Sequence, residues 1–285
     1  SVNLCCVASR NNSINDLIPN NCKVYSDWGP ILQHPNLDGI IVATPPHTHY
    51  EITKSCLLMG INVLVEKPLT LDLNEAINLK NLAIQSKTLL MTEFTQVFNP
   101  KFQKLKKSLS FIGKLNSVIT EAGNFGPYRK NTPVLWDWGS HELSILLSLI
   151  NSKPKFIQAN LINDETDADG NKSSWDIYCE FNEKIKSKST ISNITNKKRR
   201  VGVFGEKGMI LLDDINKNTL QFYEGWHEEV FPKKDGHSIK ISNQNEPLFE
   251  ALMSFFQHIT NKDLHHWSLD LGIEVTRLLS ICEKN

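Results

Sequence analysis

The sequence predicts an α/β protein: an open parallel sheet with alternating helices, followed by an α+β portion built on an open, mainly antiparallel sheet. Three observations predict it. Short apolar runs recur at 2–8, 39–43, 61–65 and 88–92, each bounded by polar or turn residues, and such runs suit parallel strands buried on both faces. Segments with helical spacing separate the last three runs, which makes βαβ units. From 116 onward the rhythm changes to longer strand-like runs interrupted by one helix.

The elements follow in order. VNLCCVA at 2–8 reads as a strand, and GIIVA at 39–43 as a second that stops at Pro45-Pro46. Ile52, Cys56 and Leu57 give 49–59 one apolar helical face, closed by Gly60, because glycine accepts the left-handed backbone at a helix C-terminus. INVLV at 61–65 is the third strand. Asp72 precedes Glu75 by three residues, the spacing of a capping box, and opens a helix as far as 87. TLLMT at 88–92 is the fourth strand. The right-handed crossover rule predicts helices on both faces of this sheet. A basic helix at 101–109 follows. Strands are then expected at NSVITEA, KFIQANLI, SWDIYCEF, SKSTISNI, RRVGVFG, GMILLDD and TLQFYEG. One helix at 139–150 interrupts them, and helices at 246–259 and 269–282 close the chain. The expected domains are 1–98 and 99–285, with the C-terminal helices packing back.

Composition narrows the function classes. Of 285 residues, 40% are apolar and 22% charged, with zero formal net charge. That is a globular composition, without the basic excess that nucleic-acid binding needs. No apolar run approaches the roughly 18 residues of a membrane span, and no signal peptide is visible. A cytoplasmic protein with neither nucleic-acid nor membrane partners is expected. The six cysteines include no Cys-x-x-Cys pair and read as thiols of a reducing compartment. His47 with His49, and His265 with His266, lack companion ligands at zinc-like spacing, so no metal site is expected.

In open parallel sheets, ligands bind at the carboxyl ends of strands. Three segments converge there: SR at 9–10, ATPPHTH at 43–49 and EKP at 66–68. Alone, Lys67 reads as a loop lysine. At a strand end in a cleft it can move protons near neutral pH, and Pro68 holds it extended and aims it. Asp137 and His141 are four residues apart, on one helical face. They read either as a helix cap with a satisfied core histidine, or as an acid–base pair in which His141 exchanges a substrate hydroxyl proton.

Together, ATPPHTH, VEKPL at 65–69 and DWGSH at 137–141 resemble the Gfo/Idh/MocA oxidoreductases, as do FNP at 98–100, IGKL at 112–115, GEKGMILLDD at 205–214 and the closing EPLFEALMSFFQHI. The stretch GPYRKNTPVLWDWGSHELSILL is similar to a branch frequent among sugar-modifying, polysaccharide-biosynthesis members. The resemblance implies a Rossmann domain and a second domain with an open sheet, with nicotinamide in the cleft between them. It implies that Lys67 contacts substrate and helps move protons, that His141 is the base or acid, and that Asp137 positions substrate or that histidine. Thr44, Pro45 and Glu66 would line the nicotinamide end, and His49 would support that loop. Tyr128 and Arg129 are weaker candidates for substrate contacts; Arg129 would suit a carboxylate or a nucleotide phosphate. A homodimer or homotetramer through the antiparallel sheet is implied.

Ser9 and Arg10 fall where an acid would hold the ribose 2′-hydroxyl of NAD. A serine and an arginine suit a 2′-phosphate better, so NADP is favoured over NAD. Two departures stand out: Glu93 where the family usually has a glycine nearby, and Val97 where it has an arginine. No G-x-G-x-x-G occurs, and the first strand here corresponds to the family's second. About 25 residues carrying strand one, the glycine loop and the first helix would precede it. The expectation is an N-terminally truncated Rossmann domain, part of a longer product, that binds dinucleotide poorly. The activity implied is hydride transfer between NAD(P) and a ring hydroxyl carbon of a sugar, nucleotide-sugar or cyclitol. A non-catalytic sensor or scaffold on the same fold is the alternative, and reduction of an imine or enone by a related mechanism stays open.

Overall fold

The structure, a computed structural model, describes residues 2–10, 12–215 and 219–284. Its parallel strands form two ladders. In the first, β1 (Cys6–Ala8) pairs with β2 (Lys23–Tyr25); in the second, β3 (Gly39–Val42), β4 (Asn62–Glu66) and β5 (Leu90–Glu93) pair in that order. Crossover helices α1 (His49–Leu58) and α2 (Leu73–Ser86) connect the second set. The Asp72 carboxylate accepts from the Glu75 amide at 3.0 Å, so the capping residue sits where the spacing predicted it. Gly60, at φ 72°, takes the left-handed conformation that closes α1.

Alternation along β4 divides two packed faces. Val63 and Val65 meet α1 and α2 through Ile52, Cys56, Leu57, Ala76 and Leu79. Leu64 points the other way, with Leu89 and Met91, onto Phe255 of α6 (Pro247–Asn261). The crossover helices therefore share one face, and a helix from far along the chain covers the other. Helices thus cover both faces, as expected, although only one face is covered by the crossovers themselves. Strand order advances in one direction from β3 to β5, so right-handed crossovers fall on one side.

After β5 come two short helices, α3 (Thr95–Phe98) and α4 (Pro100–Lys107), then β6 (Leu115–Phe125) and α5 (Val134–Ile150). The rest of the second sheet is β7 (Phe156–Asp164), β8 (Ser173–Glu180), β9 (Lys186–Ser192), β10 (Ile194–Gly205), β11 (Gly208–Asp213), β12 (Thr219–Glu224) and β13 (His237–Ile239). Its order is β13-β12-β11-β10-β6-β9-β8-β7. The β6–β9 pair is parallel and the others are antiparallel, so this open sheet is mixed but mainly antiparallel. One face buries Val118, Ile177, Ile191 and Val203 against Leu143 and Leu146 of α5.

Other boundaries moved for physical reasons. The first strand contracts to three residues, and β2 and β13, each three residues long, were not anticipated, because so short a strand carries no period. The helix expected at 139–150 begins at Val134, straight after Pro133; Gly139 had masked its first turn. Asp137 is therefore an internal helix residue and not its cap. Among the described residues, no helix is long and apolar enough to cross a membrane.

The last helix, α7 (Trp267–Cys282), joins the two sheets' cores. The Thr92 amide of β5 donates to Ser268 Oγ at 3.1 Å. A Cβ on Gly272 would stand 2.5 Å from Thr92 Oγ1 and 3.3 Å from Leu69 Cβ, so helix and strand touch there only because the glycine has no side chain. Gly272→Val should therefore lower unfolding free energy by roughly 1–3 kcal/mol, read from urea midpoints. An unchanged midpoint would contradict this packing.

Candidate active site

Lys67 is the first residue beyond β4, and its peptide bond to Pro68 is cis. Its ammonium donates to Asp137 Oδ1 and to the Asp137 carbonyl, both at 2.7 Å. Arg129 Nε donates to the other carboxylate oxygen at 2.9 Å. The end of a parallel strand is thus tied to α5 by a carboxylate held between two cations. Side-chain exposure of Lys67 and Asp137 is 12% and 15%. Burial alone would raise the Asp137 pKa; Lys67, then Arg129, hold it below the usual carboxylate range. An ammonium has three donors, and two of Lys67's are engaged, which leaves one N–H for another oxygen.

His141 lies one helical turn after Asp137. Its Nδ1 is buried without a hydrogen-bond partner, so it is not a satisfied core histidine. Burial pushes its pKa well below the usual imidazole range, and the charges of Lys67 and Arg199 push the same way. The ring is neutral at pH 7, the state that accepts a proton.

His49 supports the neighbouring loops. Its ring nitrogens lie 2.8 Å from two carbonyls, Nδ1 from Pro68 O and Nε2 from Thr44 O. Burial lowers its pKa, against the pull of both carbonyls. The side chain bridges the loop after β3 to the loop after β4. Thr44 and Pro45 are exposed in front of it, and Thr48 Oγ1 reaches Thr44 Oγ1 and Pro45 O at 2.7 Å. Glu66 is half-buried next to Lys67, and burial raises its pKa.

Among the remaining sequence candidates, Ser9 and Tyr128 make contacts with other residues. Ser9 donates its amide to Tyr25 O at 2.9 Å, and Arg10 is exposed at the bend after β1. The Tyr128 ring stacks under the Lys172 ammonium at 4.9 Å. Elsewhere, Cys5, Cys6 and His34 bring possible ligand atoms within 4.8 Å of one another, a grouping that sequence spacing did not suggest.

Glu93, noted in the sequence only as a departure, belongs to the site. It is the register partner of Glu66 across β4–β5 and is 2% exposed. Its Oε1 has no partner, and Oε2 accepts from Thr95 Oγ1 at 2.7 Å. Burial raises its pKa to about 7, with Glu66 adding to the rise. Glu142, next to His141, is 4% exposed; burial raises its pKa to about 7 as well. Position in the folded chain, not motif, makes these acids unusual.

Known proteins share the family and the fold. A family model described as "Oxidoreductase family, NAD-binding Rossmann fold" matches residues 2–94. The chain superposes on a "putative oxidoreductase" of known structure from Magnetospirillum magnetotacticum MS-1 with TM-score 0.93 and 34% identity, over 98% of this chain and 91% of that one. It is 23% identical to a myo-inositol 2-dehydrogenase of Thermotoga maritima over 215 residues, 70% of this chain and 63% of the relative. It is 24% identical to a UDP-N-acetylglucosamine 3-dehydrogenase of Acidithiobacillus ferrooxidans over 208 residues, 71% of this chain and 63% of the relative. The chain spans less than two thirds of the length of these curated relatives.

Glu93 gives a pH test. Unfolded, it ionises near 4.5; folded, it keeps its proton to about 7. Its contribution to stability is therefore lost as pH rises through this window. Glu93→Gln should gain stability relative to wild type between about pH 5 and 8, by up to about 2–3 kcal/mol. Urea unfolding at several pH values measures the difference; one that does not change with pH would contradict the assignment.

Proposed function

The chain belongs to the Gfo/Idh/MocA oxidoreductase family, and from that premise we propose that it is an NAD(P)-dependent oxidoreductase acting on a CH–OH carbon of a sugar, nucleotide-sugar or cyclitol. One observation carries the reading. At the carboxyl ends of the parallel strands, a lysine with one uncommitted N–H stands with an ionised aspartate and a neutral histidine.

The residues fit the two ends of a dinucleotide. The exposed Thr44–Pro45 turn, held from behind by buried His49, suits the nicotinamide end with Glu66. Exposed Arg10 suits a ribose 2′-phosphate, which favours NADP. When bound, nicotinamide supplies the hydride acceptor or donor. Lys67 directs its third N–H at the reacting oxygen and stabilises the negative charge that develops there. Neutral His141 takes the hydroxyl proton during oxidation and returns it during reduction. Asp137 holds Lys67 in place, and Arg129 helps keep Asp137 ionised. The same proposal includes a homodimer or homotetramer through the eight-stranded sheet. It also includes the cytoplasm as location, supported by six free cysteines.

Lys67→Met and His141→Asn should each lower kcat by about 10²–10⁴-fold, followed by nicotinamide absorbance over a panel of sugars and cyclitols. Turnover surviving both substitutions would show that the site is elsewhere.

A further inference from the structure

Strand β10 breaks its own pattern next to His141. Positions 199, 201 and 203 face the helix-covered side of the sheet, and Val201 and Val203 join the core there. Position 199 is an arginine. Arg199 pairs in register with Ala122 and forms no ion pair among the described residues. It lines a cavity of about 40 Å³ with His141, Glu142, Glu121, Trp138 and Asp214. On a scale of about 10–15 Å³ per water-sized group, that holds roughly three such groups.

The other charges around the cavity are answered. Glu121 lies 3.5 Å from Arg200, which also holds Asp213 at 3.0 Å. Asp214 is 2.7 Å from the Lys101 ammonium. Glu142 is half protonated near pH 7. The Arg199 guanidinium has no ion-pair partner among the described residues, and its charge acts on the buried Glu142 and His141. Three buried atoms on lining residues lack hydrogen-bond partners: Glu142 Oε2, on a residue 4% exposed, His141 Nδ1, and Glu121 Oε2, whose charge is answered only by Arg200 at 3.5 Å. A buried polar atom without a partner costs free energy, and a ligand group that bonds to it removes that cost. The same imidazole feels both Lys67 and Arg199, so the cavity adjoins the reacting end of the site.

We propose that this cavity binds the carboxylate of the substrate, with Arg199 as the specificity-determining residue, so that the preferred substrates are acidic ring sugars of the hexuronate class. A carboxylate has three heavy atoms, which matches the space. A guanidinium meets it with a charge-assisted hydrogen bond, and protonated Glu142 can donate a second. The inference rests on the dehydrogenase reading for the placement of the reacting carbon, but its binding step does not require nicotinamide.

Calorimetric titration without cofactor tests it, using D-glucuronate and D-galacturonate, each against its neutral amide. At least one acid should bind roughly 10–100-fold tighter than its amide, the span of a hydrogen bond to a charged group. The margin should fall below about twofold in Arg199→Gln and survive in part in Arg199→Lys. Equal binding of acid and amide, no binding of either acid, or a margin that persists in Arg199→Gln would overturn the proposal. If Arg199→Gln does not fold, the wild-type comparison of acid with amide still decides. Turnover lost in Lys67→Met with acid and amide bound equally would sink this inference and leave the dehydrogenase reading standing. A clear acid preference with turnover unaffected by Lys67→Met would do the reverse.

Discussion

Lys67 and Asp137 lie 2.7 Å apart with little solvent around them, and each is there on condition that the other is. An isolated buried charge costs several kcal/mol, and breaking such a pair on one side typically costs about 3–5 kcal/mol. The pair belongs to two bodies of structure, one the end of a parallel strand and the other a helix on the second sheet. The geometry of the reacting centre is thus set by how those bodies are held together, and not by either alone. Arg129 completes the arrangement from the solvent side, where its own exposure of 53% makes its contribution weaker.

What holds the bodies together is largely α7. Its first turn receives the Thr92 amide, its Gly272 lets β5 approach, and Leu278 and Leu279 enter the core under α5. The site's acids then titrate unusually because they are sealed into this junction. For Glu93 and Glu142 burial outweighs the nearby hydroxyls and the cations Lys67 and Arg199, so both keep protons to about pH 7. His141 meets the opposite condition, low polarity with two cations near, and stays neutral. Burial moves acids and base toward their uncharged forms, while Asp137 stays charged because two cations touch it.

Much of this was legible in the sequence because it depends on local pattern. Asp72 and Glu75 mark a helix start, GIIVA and INVLV mark buried strands, and EKP at a strand end places Lys67 in a cleft. DWGSH put Asp137 and His141 on one face wherever the helix began. What was not legible depends on contacts between distant segments. Nothing near Glu93 tells of Glu66 beside it, and nothing near Gly272 tells of Thr92. Arg199 gives a faint signal, an arginine in alternation with Val201 and Val203, but only the burial of that face makes it unusual. Which face of the parallel sheet the crossovers cover also needed strand order, which no single run of residues carries.

The central claim is that Lys67 and Asp137 act as one unit across the two bodies. A double-mutant cycle with Lys67→Met, Asp137→Asn and the pair, read by urea unfolding, tests it most directly. The coupling should be at least about 1 kcal/mol, with the double variant less destabilised than the sum of the singles. Single effects that add within about 0.3–0.5 kcal/mol would show two independent side chains and contradict it.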